Sequence, residues 1–182
     1  MKKLFVLLFS IFLLQTAGAY ASEKSYFEMP ADSVLTRLAI SGARTGKALD
    51  RDTIGARCTD REHHRIVISP DTSVLLILYC DSEFEHIRTA AEAYFTTDPD
   101  NESYNVKRGQ MSDETLFRKV CQQLIYTLNV GIAKEEAHRI LKKLGTYDKY
   151  LDCVQREVTY GKYTYVMKLS REGVLVMAVS HV

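Results

Sequence analysis

Apolar residues recur at helical spacing in four parts of the chain and at strand spacing in two hairpins. Val34, Leu35, Leu38 and Ala39 share one face, so residues 32–41 read as a helix capped by Asp32 or Ser33 and weakened by Gly42 and Gly46. Ser112 caps a second pattern, with Phe117, Val120, Cys121, Leu124 and Leu128 as its stripe and Gly131 as its stop. Ala133, Ala137, Ile140, Leu141 and Leu144 stripe a third, which Gly145 ends. So short a link between the last two predicts an antiparallel helical hairpin.

Ile66-Val67-Ile68 and Val74 to Tyr79 are strand-like, and Ser69-Pro70-Asp71-Thr72-Ser73 between them suits a turn. The run Val74 to Tyr79 is apolar without alternation, which predicts burial on both faces. Ser82 with Glu85 forms a capping-box pattern, which predicts a helix carrying Phe84, Ile87, Ala91 and Tyr94 on one face. Tyr160 to Leu169 and Val174 to Val179, joined by Ser170-Arg171-Glu172-Gly173, predict a closing hairpin.

An offset of 100 sets Ile66 against Val166, Val74 against Val174 and Leu75 against Leu175. The expectation is an α+β fold, with antiparallel β-hairpins forming a sheet packed by amphipathic helices. Residues 22–96 and 110–182 would be two related α-then-β-hairpin halves of one domain, joined by a polar loop over 97–109.

The first 21 residues stand apart from this pattern. Lys2 and Lys3 precede the apolar run Leu4 to Leu14, and Ala19-Tyr20-Ala21 supplies small residues for cleavage. A signal peptide is expected over 1–21, with the remaining 22–182 periplasmic or secreted and without a stable membrane anchor. Cleavage would shorten the chain from 182 to 161 residues and turn a net charge of +1 into −1. With 24 Lys+Arg against 23 Asp+Glu and no basic block, nucleic-acid binding is not expected.

Export changes the reading of Cys58, Cys80, Cys121 and Cys153. An even count in an oxidising compartment favours disulfides, and Cys58–Cys80 with Cys121–Cys153 would close one half each. Cys58, His63, His64 and Cys80 have zinc-ligand chemistry, but neither C-x-x-C nor H-x-x-x-H is present, so no metal and no cofactor is expected. The chain contains no G-x-S-x-G, and Gly42-Ala43-Arg44-Thr45-Gly46-Lys47 lacks the spacing of a phosphate-binding loop.

Among eleven tyrosines, Tyr160, Tyr163 and Tyr165 fall on one predicted strand. Alternation places Tyr163, Tyr165, Met167 and Leu169 on one face, which reads either as a cover for the core or as a binding patch. The combined expectation is a non-enzymatic protein with a protein partner, such as an inhibitor or immunity protein acting on an envelope-targeting enzyme. An envelope hydrolase using His63 or His64 with a nearby carboxylate is the alternative. Phe27-Glu28-Met29-Pro30-Ala31, with Leu38 and Thr45-Gly46, resembles the opening of the short N-terminal domain of secretins and TonB-dependent receptors. That resemblance ends at Lys47 and implies an accessory role in a secretion or adhesion apparatus.

Overall fold

The computed structural model describes residues 29–46, 48–70, 74–96, 110–147, 155–169 and 173–180. Its elements run α1 (Ala31–Thr45), α2 (Arg51–Gly55), β1 (Cys58–Asp60), β2 (Arg65–Ile68), β3 (Val74–Cys80) and β4 (Ile87–Thr96). They continue with α3 (Gln110–Leu128), α4 (Lys134–Lys143), β5 (Arg156–Tyr160), β6 (Tyr163–Leu169) and β7 (Gly173–Ser180). The fold is α+β, as the hydrophobic pattern predicts. Residues 1–28, which include the expected signal, and the loop 97–109 lie outside the described residues. Among the described residues no helix is long and apolar enough to cross a membrane.

One seven-stranded sheet, wholly antiparallel, runs in the order β1-β2-β3-β4-β7-β6-β5. The capping-box expectation fails here, because Ile87–Thr96 is a central strand rather than a helix. Asp81 takes the role expected of Ser82, with its carboxylate accepting from the main-chain N–H of Glu85 at 2.9 Å and of His86 at 3.2 Å. Phe84 then turns at φ 60° and directs the chain into the sheet. In β4, Ala91 lies between Leu78 and Ala178, and Ala93 between Leu76 and Val176. Both alanines are fully buried, leaving room for α3 to lie close over the sheet.

Tyr160 to Leu169 also differs from expectation, since Gly161 and Lys162 split it into the hairpin β5–β6. A four-stranded meander, β1-β2-β3-β4, and a three-stranded one, β5-β6-β7, therefore meet along β4 and β7. The offset of 100 matches β2–β3 to β6–β7, whereas the sheet order sets β3–β4 opposite β7–β6. Sequence similarity and sheet symmetry thus do not coincide.

The core lies on one face, where Ile66, Ile68, Leu76, Leu78, Tyr165 and Met167 meet Val34, Leu38, Phe117, Leu124 and Ile140. Strand β3 is not buried on both sides. Val74, Leu76, Leu78 and Cys80 are buried, while Leu75, Ile77 and Tyr79 are half-buried on the face away from this core. That outer face also carries Glu92, which accepts a 2.8 Å hydrogen bond from the Tyr79 hydroxyl.

Burial pushes the Glu92 carboxyl above the ordinary glutamate range, against the Tyr79 bond and the charges of Lys168 and Arg65. A raised carboxyl pKa lowers stability as pH climbs from the unfolded value to the folded one. Glu92→Gln is therefore expected to be more stable than wild type at pH 7. The gap should close below about pH 4, as read from urea midpoints across pH.

Helix α1 runs through Gly42 and stops at Gly46, which adopts φ 77°. It needs glycine at 42, since a Cβ there would stand 2.8 Å from the Leu49 carbonyl oxygen. The close approach is held by Gln123 of α3, which is fully buried. Its Nε2 donates to the carbonyls of Leu38 and Leu49, both at 2.7 Å. Its Oε1 accepts from the Leu49 N–H at 3.0 Å and the Thr45 hydroxyl at 3.1 Å. Beside it the Ser41 and Thr127 hydroxyls share a bond of 3.1 Å.

Candidate binding surface

Three of the four cysteines are described, and Cys58, Cys80 and Cys121 are all free thiols. The Cys58–Cys80 pairing is corrected by the sheet itself. Cys58 stands opposite Val67, Val67 opposite Ile77, and Cys80 lies three residues further along β3. Two strand spacings plus three residues put the pair roughly 14 Å apart, twice the reach of a disulfide. Cys153 lies outside the described residues, so only the free Cys121 of the other expected pair is placed.

Burial pushes the Cys80 thiol up to about 11, with the Asp81 charge adding to it, and burial raises Cys121 further. Native alkylation is therefore expected to label exposed Cys58 within minutes and to spare Cys80 and Cys121 until the protein unfolds. Peptide mass spectrometry reads this directly, and rapid labelling of Cys121 would contradict the burial.

His63 and His64 occupy the turn between β1 and β2. His63 Nδ1 lies 3.0 Å from Asp60 Oδ2, which also accepts from Arg65 Nε at 2.7 Å. The Arg65 bond chiefly holds the Asp60 carboxyl down at about 2. His64 adopts φ 50° and turns its ring toward Phe84, 6.2 Å between centroids. The two histidines thus diverge, with only His63 meeting a carboxylate. The neighbouring loop repeats the arrangement, His86 Nδ1 lying 3.2 Å from Asp81. At Asp81 burial pushes the carboxyl up, but the N–H groups of Glu85 and His86 and the His86 ring outweigh it. Among the described residues, no group of three or more His, Cys, Asp or Glu side chains is placed to hold a metal ion.

The tyrosine strand resolves into two environments. Tyr163 and Tyr165 face the helices and are buried, so they form core rather than a surface patch. The Tyr165 hydroxyl bonds Asn129 Nδ2, and burial raises its pKa. Tyr160 is different. It lies half-buried at the end of edge strand β5 and lines a cleft of about 640 Å³ with Asn129, Val130, Ile132 and Glu136.

The cleft is built by the turn between α3 and α4. Gly131 supplies φ 84°, and Ile132 N–H bonds the Asn129 carbonyl at 3.1 Å. Arg44 of α1 donates to the Ile132 carbonyl at 3.0 Å and lies 4.0 Å over the Tyr126 ring. So braced, the turn presents Val130 with 72% of its surface exposed. The sequence signal for it was a valine held between Asn129 and Gly131, residues that suit a turn where valine does not. Comparison with protein-family models, curated proteins and solved structures finds no match.

Proposed function

We propose that this is an exported protein-binding protein, periplasmic or secreted, such as an inhibitor or immunity protein acting on an envelope-targeting enzyme. The export half of this reading rests on residues 1–21. Val130 carries the binding half, being a large apolar side chain held out by a braced turn beside Tyr160. An ordered apolar anchor of this kind loses little entropy on binding, which is what makes a contact worth affinity.

The test is capture of exported proteins on the immobilised wild type and on Val130→Asp. A specific partner is expected on the wild type, with retention falling roughly tenfold or more on the variant. Equal retention on both would remove the reading. The Asp60–His63 contact favours a second one, a hydrolase in which the carboxylate orients the imidazole. Joint replacement of His63 and His64 by Ala separates the two, since it should leave capture intact and abolish only a hydrolytic activity.

A further inference from the structure

Resting on that reading, we propose that the partner engages by strand addition, an extended segment of it pairing with the outer edge of β5 as an eighth strand. Among the described residues β5 pairs only with β6. The hairpin closes on Tyr160 opposite Tyr163 through Gly161-Lys162, with Gly161 at φ 60°. A two-residue turn with glycine first makes its closing pair exchange both main-chain bonds, and such pairs alternate along the ladder. Tyr160, Val158 and Arg156 therefore bond inward to β6. Glu157 and Thr159 direct their N–H and C=O groups outward, and both are exposed.

Outward donors and acceptors on alternate residues fit the main chain of another strand. The end of this edge runs into the Val130–Tyr160 cleft, where an apolar side chain of the added segment would sit. A Lys or Arg facing Glu157 would complete a cross-strand pair. The opposite edge is a poorer template, although it too adjoins a cleft, lined by Thr59, Arg61 and Phe84. Strand β1 has three residues, and its Asp60 is engaged by Arg65 before a turn of Arg61, Glu62, His63 and His64. A three-residue edge offers little to pair with, whereas β5 has five residues and no proline, and its outward charge, Glu157, would attract a basic segment.

Random heptapeptides displayed on phage, selected on the whole protein, supply the probe. The enriched peptides should alternate apolar and polar residues and carry a basic one. Their binding should fall roughly tenfold or more in Glu157→Pro, which removes an outward N–H and leaves the bonded pairs to β6 in place. Val130→Asp should weaken them similarly, and Ile40→Asp, on α1, should not. In the wild type, bound peptide should slow hydrogen exchange at the Glu157 and Thr159 amides. That readout stands even where the proline variant does not fold.

Peptides that bind without slowing those amides would overturn strand addition, as would no enrichment at all. A wild-type dimer that Glu157→Pro dissolves would overturn it by giving the edge to a second copy of the chain. Partner capture that is lost in Val130→Asp but untouched by Glu157→Pro would end this proposal and leave the binding reading standing. Capture unaffected by Val130→Asp would end both.

Discussion

Replacing Gln123 with Leu is expected to destabilise the protein by about 3–5 kcal/mol, although leucine fits a buried helical site by size and propensity. The amide ties three segments at once. It spans the Leu38 carbonyl in α1, the Thr45 hydroxyl at the end of that helix, and both main-chain groups of Leu49. A buried group stripped of its partner costs about 1–3 kcal/mol, and the Leu49 N–H and C=O both depend on this side chain. Apolar burial by leucine offsets part of that loss and cannot satisfy either group. Relief by moving the 46–50 segment away is opposed by Leu49, itself fully buried. Urea unfolding at pH 7 measures the difference. Gln123→Glu supplies the internal control. A carboxylate would set a second oxygen against the Leu38 and Leu49 carbonyls, so its stability should partly recover as acid protonates it and restores one donor. A loss below about 1 kcal/mol for Gln123→Leu would mean that the clasp contributes little.

The clasp also shows what a linear reading misses. Gln123 lies between Cys121 and Leu124 in the strongest stripe of the sequence, and nothing near it in the chain names Leu38 or Leu49 as partners. Local signals were sufficient where local physics decides. The stripes of α3 and α4 end at Gly131 and Gly145, both at positive φ, as their positions suggest. Glu135 and Glu136 at the start of α4, with Lys142 and Lys143 at its end, complement the helix dipole.

Local signals misled where pairing decides. Ser82-Glu83-Phe84-Glu85 has the composition of a helix start, and Ala90-Ala91-Glu92-Ala93 continues it plausibly. Strands β3 and β7 flank that segment and take its main-chain groups on both sides, which outweighs a propensity of a few tenths of a kcal/mol per residue. The cysteine pairing failed for a related reason, since closeness in sequence set Cys58 beside Cys80 and the β1-β2-β3 order set them apart. The candidate surface was half legible. Tyr160 packs against the core and also lines the cleft, whereas Tyr163 and Tyr165 are buried. Val130 is marked in the sequence only by its turn neighbours Asn129 and Gly131, because exposure is a property of the turn and not of the residue.

The strand identity of β4 has a consequence that separates it sharply from a helix. Ala91→Leu is expected to cost about 2–3 kcal/mol, although it adds apolar surface and lengthens a hydrophobic run. Ala91 has no exposed surface and sits in register between Leu78 and Ala178. Helix α3 lies against β4 and β3 on that face, so three added carbons must displace either the helix or the neighbouring strands. In the interior of a sheet, backbone pairing on both sides prevents the strand from yielding. The helix must therefore move, and it is fixed at its far side by Gln123. On a solvent-facing helix the same change would be nearly neutral, because leucine and alanine differ little in helix propensity. Thermal and urea unfolding distinguish the outcomes, with a midpoint unchanged within error contradicting the packing. Glu92→Leu serves as the neighbouring control. Its side chain lies on the outer face beside half-buried Ile77 rather than under a helix, and leucine has one heavy atom fewer than glutamate, so the steric loss seen at Ala91 should be absent.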